Sequence, residues 1–150
     1  MMDFIFLSGI VLLAVSLVLF AIALGGVSYQ HIVELPRWKD PIGSPNFGRF
    51  FKLFMPASFI SLFLASLLLW SVAGAARWEL SAALAGIIAT TVYTNRFFVP
   101  IHQQLFDLQT PAAQREILTR RWQAGNRYRM LLMAGAIICI LIAYSLLLLR

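Results

Sequence analysis

The sequence has few charged residues and a single cysteine, and each shortage excludes classes of protein. Only 12% of the 150 residues are charged, whereas 61% are hydrophobic. A soluble domain of this size could not bury so much apolar surface, so the composition excludes a soluble globular protein. The lone cysteine, Cys139, excludes a disulfide framework, a CxxC redox pair and a thiolate metal cluster.

The common catalytic motifs of soluble enzymes are also missing. We find no glycine-rich phosphate loop, no GxSxG nucleophile elbow and no HExxH zinc motif. No internal repeat and no charge at mid-membrane depth are evident, which argues against a transporter. The net charge of +6 comes from basic residues in loops beside hydrophobic segments. Anionic lipid headgroups are nearer partners for such residues than nucleic acid, so we expect membrane lipids as partners and no nucleic-acid binding.

The sequence contains four long hydrophobic segments separated by charged loops. We predict an all-α integral membrane four-helix bundle, forming one transmembrane domain over residues 1–150, with spans at residues 4–27, 53–76, 80–100 and 130–149. Residues 4–27 are uncharged, and as a helix they exceed the hydrocarbon thickness of about 30 Å. They are too long for the hydrophobic part of a signal peptide, and no basic residue precedes them, so we interpret them as a retained span.

The segments between the spans differ in character. A short link at residues 77–79 predicts that the second and third spans are antiparallel neighbours. Pro56 is expected in the first turn of the second span, where a missing N–H is tolerated. Residues 36–46 are rich in proline and glycine and predict an irregular loop. Thr110 and Pro111 are expected to be the N-cap and first residue of a short interfacial helix before the fourth span.

Basic residues predict the orientation, because cytoplasmic loops carry an excess of lysine and arginine. The face that holds the two long loops has ten basic residues and the opposite face has two, Arg77 and Arg150. We therefore expect an integral protein, of a bacterial cytoplasmic membrane, with the long loops in the cytoplasm and both termini outside.

Small residues recur at every fourth position in three of the spans, and such stripes let helix backbones approach closely. We expect them to form packing surfaces, at Ala57, Ser61 and Ala65, at Ala82, Gly86, Thr90 and Thr94, and at Gly135, Cys139 and Ala143.

Polar residues that could perform chemistry gather at the predicted cytoplasmic face. His31 and Glu34 are three residues apart, which places them on one face if the first helix continues that far. Such a pair could be an oriented base, half of a metal site or a polar pair near lipid headgroups. Thr94 and Asn95 increase the polarity of the third span towards the same face and could line a cavity.

A second group lies where the fourth span enters the membrane. Trp122, Asn126 and Arg129 are spaced by four and three residues, so one helical face presents an indole, an amide and a guanidinium. This face could bind a polar aromatic ligand. It could also be an interfacial tryptophan followed by an arginine whose charge reaches the headgroups.

Two segments resemble those of a known family. Residues 99–108, VPIHQQLFDL, resemble the VPx(N/H)xxL segment of the small four-helix membrane proteins of the anthrone oxygenase-like group, many of which are assigned to a domain of unknown function. The pattern Trp122-xxx-Asn126-xx-Arg129 is similar to the WxxxHxxR pattern of that group, with Asn126 in place of the usual histidine. The resemblance covers about residues 90–144. A mechanism that needs a base at position 126 is therefore not implied for this chain.

The resemblance implies a membrane-bound oxygenase of hydrophobic polycyclic phenols, or a relative that keeps only the fold. Cofactor-free oxygenation is compatible with the residues: His102 would be the base, Asn126 and Arg129 would donate to the oxyanion, and His31 with Glu34 would be a second acid–base pair. Trp122, Asn95 and Thr94 would bind the substrate. The catalytic set requires the first, third and fourth helices to be mutual neighbours at their cytoplasmic ends.

Two other hypotheses come from different functional classes. The chain could be a non-catalytic accessory subunit of a larger membrane complex, or a homo-oligomer, packed through its small-residue stripes. Alternatively, His31 and His102 could ligate haem or a metal for electron transfer.

Overall fold

The computed structural model describes residues 2–34, 47–105, 107 and 109–149, with the backbone alone at residues 2, 3, 33, 34 and 47–52. These residues are mostly helical. The helix bounds are α1, Met2–Tyr29, continued by a π-helical segment, Gln30–Glu34; α2, Phe47–Leu69; α3, Ala76–Tyr93, continued by a π-helical segment, Thr94–Phe98; α4, Val99–Leu105; and α5, Ala112–Leu148.

Three helical segments are long and apolar enough to cross a membrane: Phe4–Ile32, Ala76–Leu105 and Ala112–Leu148. A fourth apolar segment, Leu53–Leu69, is shorter. The predicted all-α fold of four apolar helices is thus confirmed, and the protein is a membrane protein. The irregular loop predicted at residues 36–46 lies outside the described residues.

The helices form a closed four-sided bundle. Helix α1 packs on α2 and α5, and α3 packs on the same two helices. Helices α1 and α3 therefore face each other diagonally in the part of the chain that the structure describes. The expected mutual contact of the first, third and fourth helices is replaced by an arrangement in which α5 lies between the other two and contacts both.

Apolar side chains occupy both the inside and the outside of the bundle. On α1, Leu13 and Phe20 are fully buried, whereas Val11, Val15 and Val18 are exposed. A helix that is hydrophobic on all sides fits a bundle whose outer surface meets lipid. The buried stripe is the part that holds the helices together.

Small residues mark the closest helix approaches. A β-carbon added at Gly86 would lie 3.0 Å from the β-carbon of Ala136, and one added at Gly9 would lie 2.6 Å from Cγ of Leu69. Gly86 therefore brings α3 against α5, and Gly9 brings α1 against α2. Gly135 is exposed, with no atom within 4 Å of an added β-carbon. In the stripe predicted at Gly135, Cys139 and Ala143, Ala143 is fully buried, whereas the buried positions of the preceding turns are Ala136 and Ile140.

A pair of serines joins α1 to α2 inside the bundle. Oγ of Ser16 donates to the carbonyl of Ser58 at 3.0 Å, and Oγ of Ser58 donates to the carbonyl of Ser16 at 3.2 Å. Both residues are fully buried. Each hydroxyl therefore finds its hydrogen-bond acceptor on the backbone of the other helix and needs no water.

Several predicted boundaries move. The turn between α2 and α3 lies at residues 70–75, where Gly74 adopts a φ of 51°, and residues 77–79 belong to the first turn of α3. Left-handed φ values are easily reached by glycine, which explains its position in this turn. Pro56 lies inside α2, since that helix begins at Phe47.

The expected interfacial helix is continuous with the fourth span. Helix α5 has 37 residues, a length of about 55 Å, so its first turns extend beyond a hydrocarbon layer of about 30 Å. Pro111 is the N-cap residue in place of Thr110. The Thr110 hydroxyl instead donates to the carbonyl of Gln104 at 2.8 Å, which ties the start of α5 to the end of α4.

Candidate functional site

One face of α5 carries a polar group inside the bundle. Trp122, Asn126 and Arg129 are each 0% exposed, so the spacing of four and three residues does align them and turns them towards the interior. The alternative hypothesis that the Arg129 charge reaches the lipid headgroups is wrong, because Arg129 is enclosed by protein. Enclosing a guanidinium in this way requires hydrogen bonds or ligand contacts that offset the loss of water.

The amide of Asn126 connects the guanidinium to α1. Nη2 of Arg129 donates to Oδ1 of Asn126 at 2.5 Å, and Nδ2 of Asn126 donates to the carbonyl of Val27 at 3.3 Å. Asn126 therefore uses its acceptor on Arg129 and a donor on the backbone of α1. This geometry makes Asn126 a positioning residue for the arginine, and its role as an oxyanion donor stays a prediction.

Aromatic rings surround the same group. The guanidinium carbon of Arg129 lies 4.2 Å from the centre of the Phe98 ring, within the range of a cation–π contact. The Phe98 ring meets Trp122 edge to face, with centroids 5.7 Å apart. The His31 ring lies nearly parallel to the indole at 6.5 Å and 16°. We call these five residues, His31, Phe98, Trp122, Asn126 and Arg129, the Trp122 cluster.

The rings of His31 and Phe98, which contact Trp122, come from π-helical segments. His31 belongs to Gln30–Glu34 and Phe98 to Thr94–Phe98. A π-helical turn changes the direction of the side chains that follow it, and such turns are frequent at functional sites. The helical segment Ala76–Leu105 comprises α3, its π-helical continuation and α4, and we call it the α3–α4 helix. The two π-helical segments therefore bring residues from the end of α1 and from the α3–α4 helix against α5.

His31 is the member of the cluster nearest to the solvent. Its side chain is half-buried, and its Nδ1 is buried with no hydrogen-bond partner among the described residues. An imidazole nitrogen in this situation can accept a proton if a substrate is placed beside it.

The other predicted site residues are distributed differently. His102 is half-buried in the last turn of α4, four residues after Phe98. Thr94 and Asn95 line a separate groove of about 440 Å³ between α2 and α3, together with Met55 and Phe59. That groove contains no member of the Trp122 cluster, so Thr94 and Asn95 do not lie beside Trp122, and their role in substrate binding stays a prediction. The side chain of Glu34 lies outside the described residues.

The clustering of possible metal ligands bears on the metal-site hypothesis. Among the described residues, no three His, Cys, Asp or Glu side chains come together in a group that could hold a metal ion.

Sequence reasoning missed Phe98 as a neighbour of Arg129 and Trp122. It lies one residue before the recognisable 99–108 segment, in a run of two phenylalanines that reads as ordinary apolar helix. Its inward direction depends on the π-helical segment, for which the sequence offers no signal that we can identify.

Comparison with known families adds to this geometry. The family model for anthrone oxygenase matches residues 47–139, which is more than half of the chain. The chain belongs to the anthrone oxygenase family. The match includes His102, Trp122, Asn126 and Arg129, whereas α1 with His31 precedes it. No curated protein and no solved structure matches the chain.

Proposed function

We propose that this member of the anthrone oxygenase family oxygenates a hydrophobic polycyclic phenol of the anthrone type, at the end of the bundle where the Trp122 cluster lies. The observation that carries the proposal is the fully buried Arg129, bonded to Asn126 and flanked by Phe98, in the same cluster as the half-buried His31, whose ring faces Trp122. Family membership supports an oxygenase-like activity over an accessory subunit.

The substrate class explains why a base and a buried cation suffice. In an anthrone, the CH₂ opposite the carbonyl is acidic, because loss of a proton gives a carbanion whose charge is delocalised onto the carbonyl oxygen. Arg129 stabilises that oxyanion, since a guanidinium has five N–H donors and can hold more than one acceptor. Asn126 keeps the guanidinium in place through its bond to Arg129 and its anchor on Val27.

The reaction balances with one O₂ consumed and one water released for each anthrone. His31 takes the first proton from the CH₂ carbon, and the carbanion gives an electron pair to O₂, so that a C–O bond forms. The peroxide oxygen takes the proton back from the imidazolium. Loss of the second C–H proton and cleavage of the O–O bond then release water and leave a carbonyl, which converts the anthrone to a quinone. The proposal needs no cofactor, because the substrate supplies the electrons that reduce O₂.

His31 is our choice of base because its ring lies on Trp122 and its Nδ1 makes no hydrogen bond with the described residues. The sequence favoured His102, which lies in the matched region. The two histidines make different predictions for single variants, so the choice can be tested directly.

The experiment uses the full chain in mild detergent with 1,8-dihydroxyanthrone as the probe. Oxygen uptake and quinone absorbance are followed against the spontaneous oxidation rate. We expect His31→Ala to lower kcat by about 10²-fold or more, with partial rescue by added imidazole, and Arg129→Gln to lower it by a similar factor. His102→Ala and the exposed control Arg120→Gln should retain activity, and a chelator should have no effect.

Three outcomes would contradict parts of this proposal. A wild-type protein that does not exceed the spontaneous rate overturns the oxygenase activity for this substrate class. Loss of activity in His102→Ala with full activity in His31→Ala transfers the role of base to His102. Activity that disappears with the chelator and returns with a metal ion overturns the cofactor-free mechanism.

A further inference from the structure

A second cleft lies outside the Trp122 cluster, on the opposite side of the α3–α4 helix from the groove that Thr94 and Asn95 line. It has a volume of about 510 Å³ and runs between the α3–α4 helix and α5. Tyr93, Phe97 and Ile101 contribute to one wall, and Leu118 and Tyr128 to the other. The lining is therefore mainly apolar, and we call Tyr93, Phe97 and Tyr128 the aromatic floor of the cleft.

The position of Phe97 in the aromatic floor depends on a glycine. A β-carbon at position 125 would collide with the Phe97 ring, so Gly125 lets that ring lie against the backbone of α5. The ring is also stacked on Tyr93, with centroids 5.1 Å apart and planes inclined by 9°. The close approach of the two helices at this point gives the cleft a defined aromatic floor.

Two arginines give the cleft its charge. Arg96 and Arg121 line it from opposite walls, and both are exposed. Within the described residues neither arginine forms an ion pair, whereas the adjacent Arg120 is paired with Glu116 at 2.8 Å. The described lining contains no Asp or Glu, so the cleft carries positive charge that nothing in its lining neutralises.

The position of the cleft relates it to the membrane surface. Tyr93 and Arg96 lie where the third apolar segment nears its end, and Tyr128 lies just before residues 130–149, the uncharged stretch of α5. The aromatic floor is therefore directed towards the hydrocarbon region, and Arg121, Gln104 and Leu118 are directed away from it. A ligand that fits must combine a negative charge with an apolar part that continues into the membrane.

We propose that this cleft binds an anionic phospholipid, with its headgroup phosphate at Arg96 and Arg121 and an acyl chain along Tyr93, Phe97 and Tyr128. Guanidinium groups suit phosphate because their N–H donors form charge-assisted hydrogen bonds with its oxygens. Basic pockets between transmembrane helices recognise anionic lipid headgroups in this way. A soluble anion would use the arginines but not the aromatic floor.

The test measures lipid binding to the full chain by native mass spectrometry in mild detergent, together with the shift in melting temperature on adding lipid. The probes are phosphatidylglycerol, phosphatidylcholine with the same acyl chains, and inorganic phosphate. We expect phosphatidylglycerol to bind and to raise the melting temperature more than the other two probes. The double variant Arg96→Gln/Arg121→Gln should weaken this binding by about tenfold or more.

Arg120→Gln is the matched control for the single variant Arg121→Gln, since each removes one positive charge from α5 and only Arg121 lines the cleft. The control should bind phosphatidylglycerol like the wild-type protein, whereas Arg121→Gln should bind it more weakly. Equal loss in these two single variants would mean non-specific attraction and would overturn the proposal. Equal stabilisation by inorganic phosphate, or unchanged lipid binding in the double variant, would overturn it too. The oxygenation assay should be unaffected in the double variant, because neither arginine belongs to the Trp122 cluster.

Discussion

Arg129 is a cation enclosed in an apolar bundle, and the amide of Asn126 is one of the groups that orient it. Its Nη2 donates to Asn126, whose own Nδ2 reaches the carbonyl of Val27 on the neighbouring helix. The guanidinium is thus oriented by a residue that is itself anchored to backbone. A buried donor whose acceptor is removed keeps the full desolvation penalty, so Asn126 should matter for stability as well as for activity.

Replacement of Asn126 tests this arrangement at the scale of one residue. Asn126→Leu removes the acceptor of Arg129 and the donor to Val27 with little change in volume. We expect it to lower the free energy of unfolding by about 1–3 kcal/mol, measured by thermal unfolding in detergent. Asn126→Asp keeps an acceptor for the guanidinium and should lose less. Equal stability of the leucine variant and the wild-type protein would show that the amide does not hold Arg129.

Helices α3 and α5 owe their close packing to Gly86, and this is a property of elements rather than of single side chains. A β-carbon at Gly86 would lie only 3.0 Å from that of Ala136. Helix association in membranes depends on van der Waals contact between small residues, because lipid removes the hydrophobic driving force. Phe98 lies in the π-helical continuation of α3, and the polar face lies on α5, so the separation of these helices controls the geometry of the Trp122 cluster.

A matched pair of glycine substitutions tests this interface. Gly86→Leu should force α3 and α5 apart and destabilise the bundle by about 1–3 kcal/mol. Gly135→Leu is the control, because that glycine is exposed and has no atom within 4 Å of an added β-carbon. Melting temperatures of both variants in the same detergent give the comparison. If the two variants melt together at the wild-type temperature, the face of Gly86 is not a packing surface.

The charge of the whole molecule is strongly asymmetric in the topology that the sequence predicts. Ten of the twelve basic residues then belong to the face with the two long loops. The Trp122 cluster and the cleft lined by Arg96 and Arg121 lie towards that same end. His31, Phe98 and Arg121 all come from the corresponding ends of their helices. If lysine and arginine set the orientation, both sites lie at the cytoplasmic end of the bundle.

Cysteine labelling in intact cells tests the orientation. In a Cys139→Ala background, a cysteine at position 77 should react with a membrane-impermeant maleimide added outside, whereas a cysteine at position 40 should react only after the cells are opened. The expectation follows from the distribution of basic residues. The reverse labelling pattern would place the long loops outside and would contradict the predicted topology.

Sequence alone determined the membrane as the solvent, the four apolar helices and the polar face of Trp122, Asn126 and Arg129. Hydropathy and the helical period are properties of single segments, so they can be read without knowing which helices are neighbours. Only the tertiary structure decided that α5 lies between α1 and α3, and that Thr94 and Asn95 line a different groove from Trp122. It also decided that the rings of His31 and Phe98, presented by π-helical segments, contact Trp122. These contacts depend on the rotation and register of packed helices, which small residues and local π-helical turns set and no single segment encodes.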